Sequence, residues 1–338
     1  MILTLTINPA IDRTVMVDKL VFEDRGYILS RGEVAGGRGI NASRVIHALG
    51  GKTSAVLTSG GSAGQRMEES LAHMGFPYHA VPVKAETRVN LTISDKHGLT
   101  IKLNEVGAPL EADEVCVVRD VVQSLLGVQL TSGRRAAEAH GKVHRHVESS
   151  PSSRESVRWL MICGSIQPGV PETFYRELIE LARSHGVSTL LDTDEEALLR
   201  ALEAKPTVIS PNQAEAERLL GRAILTRAQA IDAVERIHSM GPENVIVSLG
   251  SRGAIGASAE GVFEALPPRV DSLCPIGAGD ALAATFIWAI DKKKTFSEAL
   301  GWAVAAGTAT AALPGMSFPT PQQVRTLHKQ VEVRPAVK

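Results

Sequence analysis

The sequence of 338 residues predicts an α/β protein in which a central, mostly parallel sheet is covered by helices on both faces and carries a small β-sheet lid. Three observations predict this class. From Trp159 onward, apolar strand-like runs alternate with helical spacing, the pattern of a parallel sheet clothed on both sides. Within the first hundred or so residues, short alternating segments are separated by turn residues, as in an antiparallel sheet with one open face. An apolar content of 44% is enough to bury a large core, as one large domain with a small appendage or as two medium ones.

Residues 2–7 read as a buried strand, and after the Asn8-Pro9 turn residues 10–17 form a second extended stretch. Helical spacing marks 40–49, 63–74 and 111–126, the last with Val118, Val121, Val122, Leu125 and Leu126 on one stripe. The segments 78–83, 87–94 and 100–104 are short and alternating, so the lid is expected from parts of 11–35 and 77–104. Strand and helix then alternate through 159–163, 171–185, 187–191, 195–203, 207–209, 212–220, 228–240 and 244–249. A hairpin at 254–258 and 261–265 is followed by two small-residue helices, 279–290 and 296–313. Residues 131–156, rich in Ser, Arg and His, read as an exposed, flexible insertion in a single domain spanning 1–338. His140, His144 and His146 lie in it, but no carboxylate or thiolate stands at ligand spacing, so a solvated linker is preferred to a metal site.

A net charge of −1, with acids and bases mixed along the chain, argues against a nucleic-acid footprint or a polybasic membrane anchor and for small-molecule partners. Cys116, Cys163 and Cys274 are widely spaced in apolar runs, as buried reduced thiols are. The apolar opening, residues 1–7, lacks a basic flank and is too short for a signal peptide or a membrane span, so a cytoplasmic address is expected.

The most informative segment is Pro275-Ile276-Gly277-Ala278-Gly279-Asp280-Ala281-Leu282, which runs into an apolar helix. Small residues leave the backbone N–H groups of 277–280 bare at the positive end of that helix, where a phosphate is favoured. A carboxylate beside phosphate is repulsive unless it has a chemical task. Taking the proton from a hydroxyl that attacks a phosphoryl group is such a task, so Asp280 reads as a general base, with an ordinary capping Asp as the alternative.

Eight motifs in fixed order then resemble the PfkB/ribokinase family of sugar kinases, and within it the 1-phosphofructokinase and tagatose-6-phosphate kinase branch. They are TINPAIDRT (6–14), AGGRGINASRVIHALG (35–50), the TR of 87–88, LNEVG (103–107), GSIQPGV (164–170), SPNQAEAERLLG (210–221), VIVSLGSRGA (245–254) and IGAGDALAATF (276–286). The resemblance implies a ribokinase-like fold and transfer of the γ-phosphate of ATP, with Mg²⁺, to a primary hydroxyl of a phosphorylated ketohexose. It also implies a lid that pairs between the subunits of a homodimer.

Roles carried over from the resemblance can be stated position by position. Asp12 would accept sugar hydroxyls, since one carboxylate takes two donors, or it stabilises a turn. Gly36, Gly37 and Gly39 would let sugar approach the backbone, with Asn41 as a second hydroxyl partner; Gly37, Gly39 and Ala42 match a dinucleotide fingerprint only weakly. Gly164 and Ser165 fall on the substrate side. Arg88 would grip the substrate's phosphate, with Arg38 and Arg25 as further candidates and a solvated arginine as the plain alternative for each. Gly277, Ala278 and Gly279 would supply the anion hole. Asn212 and Glu215 would hold the water shell of Mg²⁺, or form a helix cap. Ser248, Gly250 and Gly253 would line the nucleotide, and Gly307 would admit the adenine or serve tight helix packing.

Three positions depart from the family pattern. Ser210 stands where a Lys is common, 192–196 read DTDEE where a Gly is usual, and Cys274-Pro275 precedes the GAGD segment in place of Asn and a hydroxyl residue. The sequence leaves fructose 1-phosphate, fructose 6-phosphate and tagatose 6-phosphate open as substrates. It also leaves two rivals: a kinase for a neutral sugar or nucleoside, and a non-catalytic sugar-phosphate sensor.

Overall fold

The computed structural model describes residues 1–21, 23–127, 144–146, 156–193, 195–315 and 317–337. Elements are numbered in chain order among these. Among the described residues the main sheet has eleven strands. Its parallel centre is β5 (Tyr78–Pro82), β4 (Thr53–Ser59), β1 (Ile2–Thr6), β9 (Trp159–Cys163), β10 (Ser188–Asp192), β11 (Val208–Ile209) and β12 (Asn244–Ser248), in that spatial order. Antiparallel strands close both edges. On one side are β13 (Ala254–Ser258), β14 (Gly261–Leu266) and β15 (Glu332–Pro335), and on the other is β8 (His144–His146) against β5.

Side-chain alternation along each strand assigns the helices to layers. Leu3, Leu5, Leu160 and Ile162 point to one face, covered by α3 (Ala112–Leu126), α4 (Phe174–Ser184), α5 (Glu195–Leu202), α6 (Gln213–Leu220) and α7 (Arg227–Ser239). Ile2, Trp159, Met161 and Cys163 point to the other, beneath α1 (Arg38–Ala48), α8 (Ala278–Asp291), α9 (Phe296–Ala311) and α10 (Pro321–His328). The central strands are buried on both sides, which is why they read as unbroken apolar runs.

A second sheet is the lid: β3 (Ile28–Gly36), β2 (Ala10–Val17), β6 (Arg88–Asp95) and β7 (Thr100–Asn104). Its base rests on α2 (Gly61–Ala72) through Ile11, Ala35, Ala63 and Met67. The β2–β3 and β6–β7 pairs are antiparallel, but β2 and β6 run parallel because the chain crosses through the body between them.

Several expectations need correction. The 78–83 segment, expected in the lid, is β5 of the main sheet; Tyr78, Ala80 and Val81 are all buried, so it is clothed on both faces. Within the expected insertion 131–156, residues 144–146 form β8, while 128–143, with His140, and 147–155 lie outside the described residues. The sequence reading missed β4, whose Thr and Ser positions break up its apolar run, and α10 and β15, whose one buried helical apolar residue and charged strand positions leave little periodic signal. Of the cysteines, only Cys163 is buried. Cys116 is exposed on the solvent side of α3, and Cys274 is partly exposed.

Candidate active site

Among the described residues, α3, α6, α7, α9 and α10 each begin with a capping box that satisfies first-turn N–H groups with side chains. By contrast, α1 and α8 start at Gly37 and Gly277 with no side-chain cap and no acid-to-backbone cap bond. Both helices bring these bare starts to one place, where Asn41 Nδ2 in the first turn of α1 donates to Asp280 Oδ2 in the first turn of α8 at 2.7 Å. Two helix ends with unspent donors and positive dipole ends form a site for an anion.

At the α8 start, Gly277 takes the left-handed conformation, φ 80°, which glycine adopts without penalty. The Ala278 N–H donates to the Pro275 carbonyl at 3.2 Å. Of the residues expected to supply an anion hole, Ala278 thus has its N–H engaged, whereas the N–H groups of Gly277 and Gly279, and that of Asp280, have no backbone acceptor among the described residues. A Cβ on Gly279 would meet nothing within 4 Å, so the space in front of it is open.

Around Asp280 lies a charge network. Burial among protein atoms, then the nearby Asp192 carboxylate, push the Asp280 carboxyl up to about 7, against the opposing pull of Asn41 and Arg38. Arg38 donates to Asp192 Oδ1 at 3.0 Å and approaches Glu215 Oε1 at 3.5 Å. Arg38, expected to grip the substrate's phosphate, is thus turned to two carboxylates. Cys163 lies beneath this network; burial holds its thiol well above the ordinary range, and Asp192 and Asp280 add to the effect.

A second cluster joins lid and body. Asp12 faces Asn90 in register across β2 and β6, and Asn90 Nδ2 donates to Asp12 Oδ1 at 2.8 Å. Burial raises the Asp12 pKa, while Asn90 and Arg88 pull it down. A Cβ on Gly36 would lie 1.8 Å from Asp12 Oδ2, and Cβ atoms on Gly37 and Gly39 would strike Thr6 and Leu5. These glycines let Asp12 and the start of α1 close on β1. Arg88 donates to the Asn8 and Glu105 carbonyls, each at 2.9 Å. Ser165 Oγ accepts from Asn8 Nδ2 at 3.3 Å, and the Gly164 carbonyl accepts from Tyr175 and Thr193. Arg25, by contrast, is exposed in the connection between β2 and β3, at the end of β2 remote from Asp12, and is not brought to this cluster.

Farther along the sheet's carboxyl edge, Asn212 and Glu215 form the capping box of α6: Glu215 N–H donates to Asn212 Oδ1 at 3.0 Å and Asn212 N–H to Glu215 Oε2 at 2.8 Å. Asn212 bridges to Ser248, and the turn that follows carries Gly250 and Gly253, both with positive φ. Arg252 in that turn donates to Gln213 on α6. Gly307 supports the packing reading, because a Cβ there would lie 3.1 Å from the Ala278 carbonyl. Asn90 escaped the sequence reading although it had a signal, standing two places after Arg88 on one strand. Asp192 was noted only as the start of the DTDEE stretch, and its place beside Asp280 had no signal beyond its position at a strand's carboxyl end.

The profile of the pfkB family carbohydrate kinases matches residues 128–323, more than half of the chain. The chain is 28% identical over 312 residues to the 1-phosphofructokinase of Borreliella burgdorferi, covering 92% of each. It is 29% identical over 311 residues to the ATP-dependent 6-phosphofructokinase isozyme 2 of Escherichia coli, covering 91% of each. The crystal structure of phosphofructokinase-2 from Escherichia coli in complex with fructose-6-phosphate superimposes with a TM-score of 0.82 at 27% identity, over 97% of this chain and 98% of that one.

Proposed function

This chain belongs to the pfkB family of carbohydrate kinases and is an ATP-dependent sugar kinase with a ribokinase-like fold, and we propose that its acceptor is a primary hydroxyl of a phosphorylated ketohexose. The observation that carries this reading is Asp280, a carboxylate with a pKa near 7 set between two uncapped helix starts. A base poised near neutrality can take the hydroxyl proton as the hydroxyl attacks, while the Gly277, Gly279 and Asp280 N–H groups stabilise charge on the moving phosphoryl group. Asn41 orients the Asp280 carboxyl, and Asp12 with Asn90 orients the sugar's hydroxyls. Arg88, at the junction of lid and body, is the anchor for the substrate's own phosphate.

Asn212 and Glu215, at the edge of their capping box, would meet the water shell of a Mg²⁺ ion carried in by the nucleotide, since this ion keeps most of its waters. When bound, the ion would neutralise charge on the nucleotide phosphates. The lid exposes Tyr27 (65%) and Ile28 (64%) together with Leu29, Leu99 and Leu103, so we assign it as the pairing surface of a homodimer. A cytoplasmic address accords with three free cysteines.

A second reading, a kinase for a neutral sugar or nucleoside, is favoured by one observation: Arg38 faces carboxylates and Arg88 faces carbonyls. ADP release measured with fructose 1-phosphate, fructose 6-phosphate, tagatose 6-phosphate, ribose and adenosine decides between them. Turnover with a ketohexose phosphate is expected, and a clear preference for ribose or adenosine overturns the phosphate-anchor role of Arg88.

A further inference from the structure

The cations considered so far have protein acceptors: Arg38 has Asp192 and Glu215, Arg88 has carbonyls, and Arg252 has Gln213. One arginine beside the anion-binding turn differs. Arg44 lies three residues after Asn41 on α1, on the same face of the helix as the residue that holds Asp280. It is partly buried, and among the described residues it has no hydrogen bond or ion pair. Its only described partner is the ring of Phe318, whose centroid is 5.2 Å from the guanidinium carbon. That ring also touches the phosphate turn, since a Cβ built on Gly277 would lie 3.0 Å from Phe318 Cζ. Arg44 is therefore one aromatic ring away from the left-handed glycine that starts α8.

A guanidinium has five donors and cannot discharge, so taking it out of water without an acceptor is costly. Burial is the only influence on its pKa, which is lowered, and no carboxylate offsets the loss of water. A cation–π contact recovers part of that loss and leaves the N–H groups unspent. The compensating anion belongs to a ligand. Resting on the kinase reading above, we propose that Arg44 is a phosphate-binding residue of this site, donating to an oxygen of the phosphoryl group stationed at the Gly277–Asp280 turn. Arg44 would supply positive charge to that anion from α1.

Calorimetric titration of the full chain in Mg²⁺ tests this with three probes: adenosine, ADP, and an ATP analogue with an imido β,γ-bridge. Arg44→Gln should weaken the analogue about tenfold, within the range for a hydrogen bond to a charged group, and leave adenosine unchanged. Arg44→Lys should recover part of the loss. Phe318→Leu, which removes the ring and keeps the cation, should stay near the parent. Equal affinities of parent and Arg44→Gln for the analogue overturn the proposal, as does a parallel loss for adenosine, which would mark Arg44 as a packing residue. Should Arg44→Gln fail to fold, Arg44→Lys carries the test, and a loss of adenosine and analogue in step overturns the proposal there too. The kinase reading fails separately, if the parent releases no ADP with any sugar; the proposal then falls with it.

Discussion

Asp280 and Asp192 sit close enough to repel, and the consequence is measurable in pH. The Asp280 carboxyl is raised to about 7, so in the free enzyme kcat/KM should rise with pH up to that value and level off above it. Asp280→Asn should lower kcat by about 10²–10⁴, the size of general-base catalysis, with nucleotide affinity retained; near-normal turnover in the folded variant would refute the assignment. Asp192→Asn removes the repulsion and releases Arg38, and both changes favour the Asp280 carboxylate. The inflection of the pH profile should therefore move down, and an unmoved or raised inflection would show that the coupling is absent. Linkage gives a second readout. A carboxyl raised above its unfolded value favours the folded state fully below pH 4 or so, and that contribution is lost as pH rises through about 7. Asp280→Asn should thus stabilise the chain relative to the parent above neutrality, by about 1–3 kcal/mol for a partly exposed carboxyl, and not at pH 4. Thermal midpoints at the two pH values check the sign.

Among the elements, β2, β3 and α1 are held together by what Gly36 lacks. A Cβ at 1.8 Å from Asp12 Oδ2 forces the carboxylate to swing from Asn90, whereas the strand backbone at Gly36 has no positive φ to strain. Gly36→Ala should raise KM for the sugar about tenfold or more, the loss of a charged hydrogen bond, with little change in thermal midpoint. An unchanged KM would remove Asp12 from the sugar site. This position was legible in the sequence as a glycine before a helix, but its reason was not. The run of 35–39 shows that something must pack closely; only the fold shows that it is Asp12 and β1. The capping box of α6 makes the same point, because Asn212 and Glu215 three apart satisfy both a helix cap and a metal's water shell on paper.

In the whole molecule, the lid has one face on α2 and leaves large apolar side chains to solvent on β3, β7 and the connection before β3. Each such side chain gains about 1.5–3 kcal/mol when fully buried, which a second copy can supply. Replacing Tyr27 with Glu and Ile28 with Lys should shift sedimentation from dimer to monomer without lowering the thermal midpoint of the body. A parent that sediments as a monomer at micromolar concentration would end the lid-pairing assignment.

The sequence by itself determined the α/β class and nearly every helix and strand from residue 159 to 311, and it singled out Asp280 as the candidate base, because each rests on local periodicity or on a short run of small residues around one carboxylate. Tertiary structure decided what depends on neighbours distant in the chain. It moved 78–82 from lid to body, because burial on both faces is a property of the sheet and not of the strand. It turned Arg38 toward Asp192 and Glu215, 154 and 177 residues away, and set Asn90 on Asp12. It also placed Arg44 and Gly277 on one aromatic ring, that of Phe318. A charge's partner is chosen by distance in space, and in a parallel sheet the crossovers bring remote strand ends to one edge without leaving a mark in the local pattern.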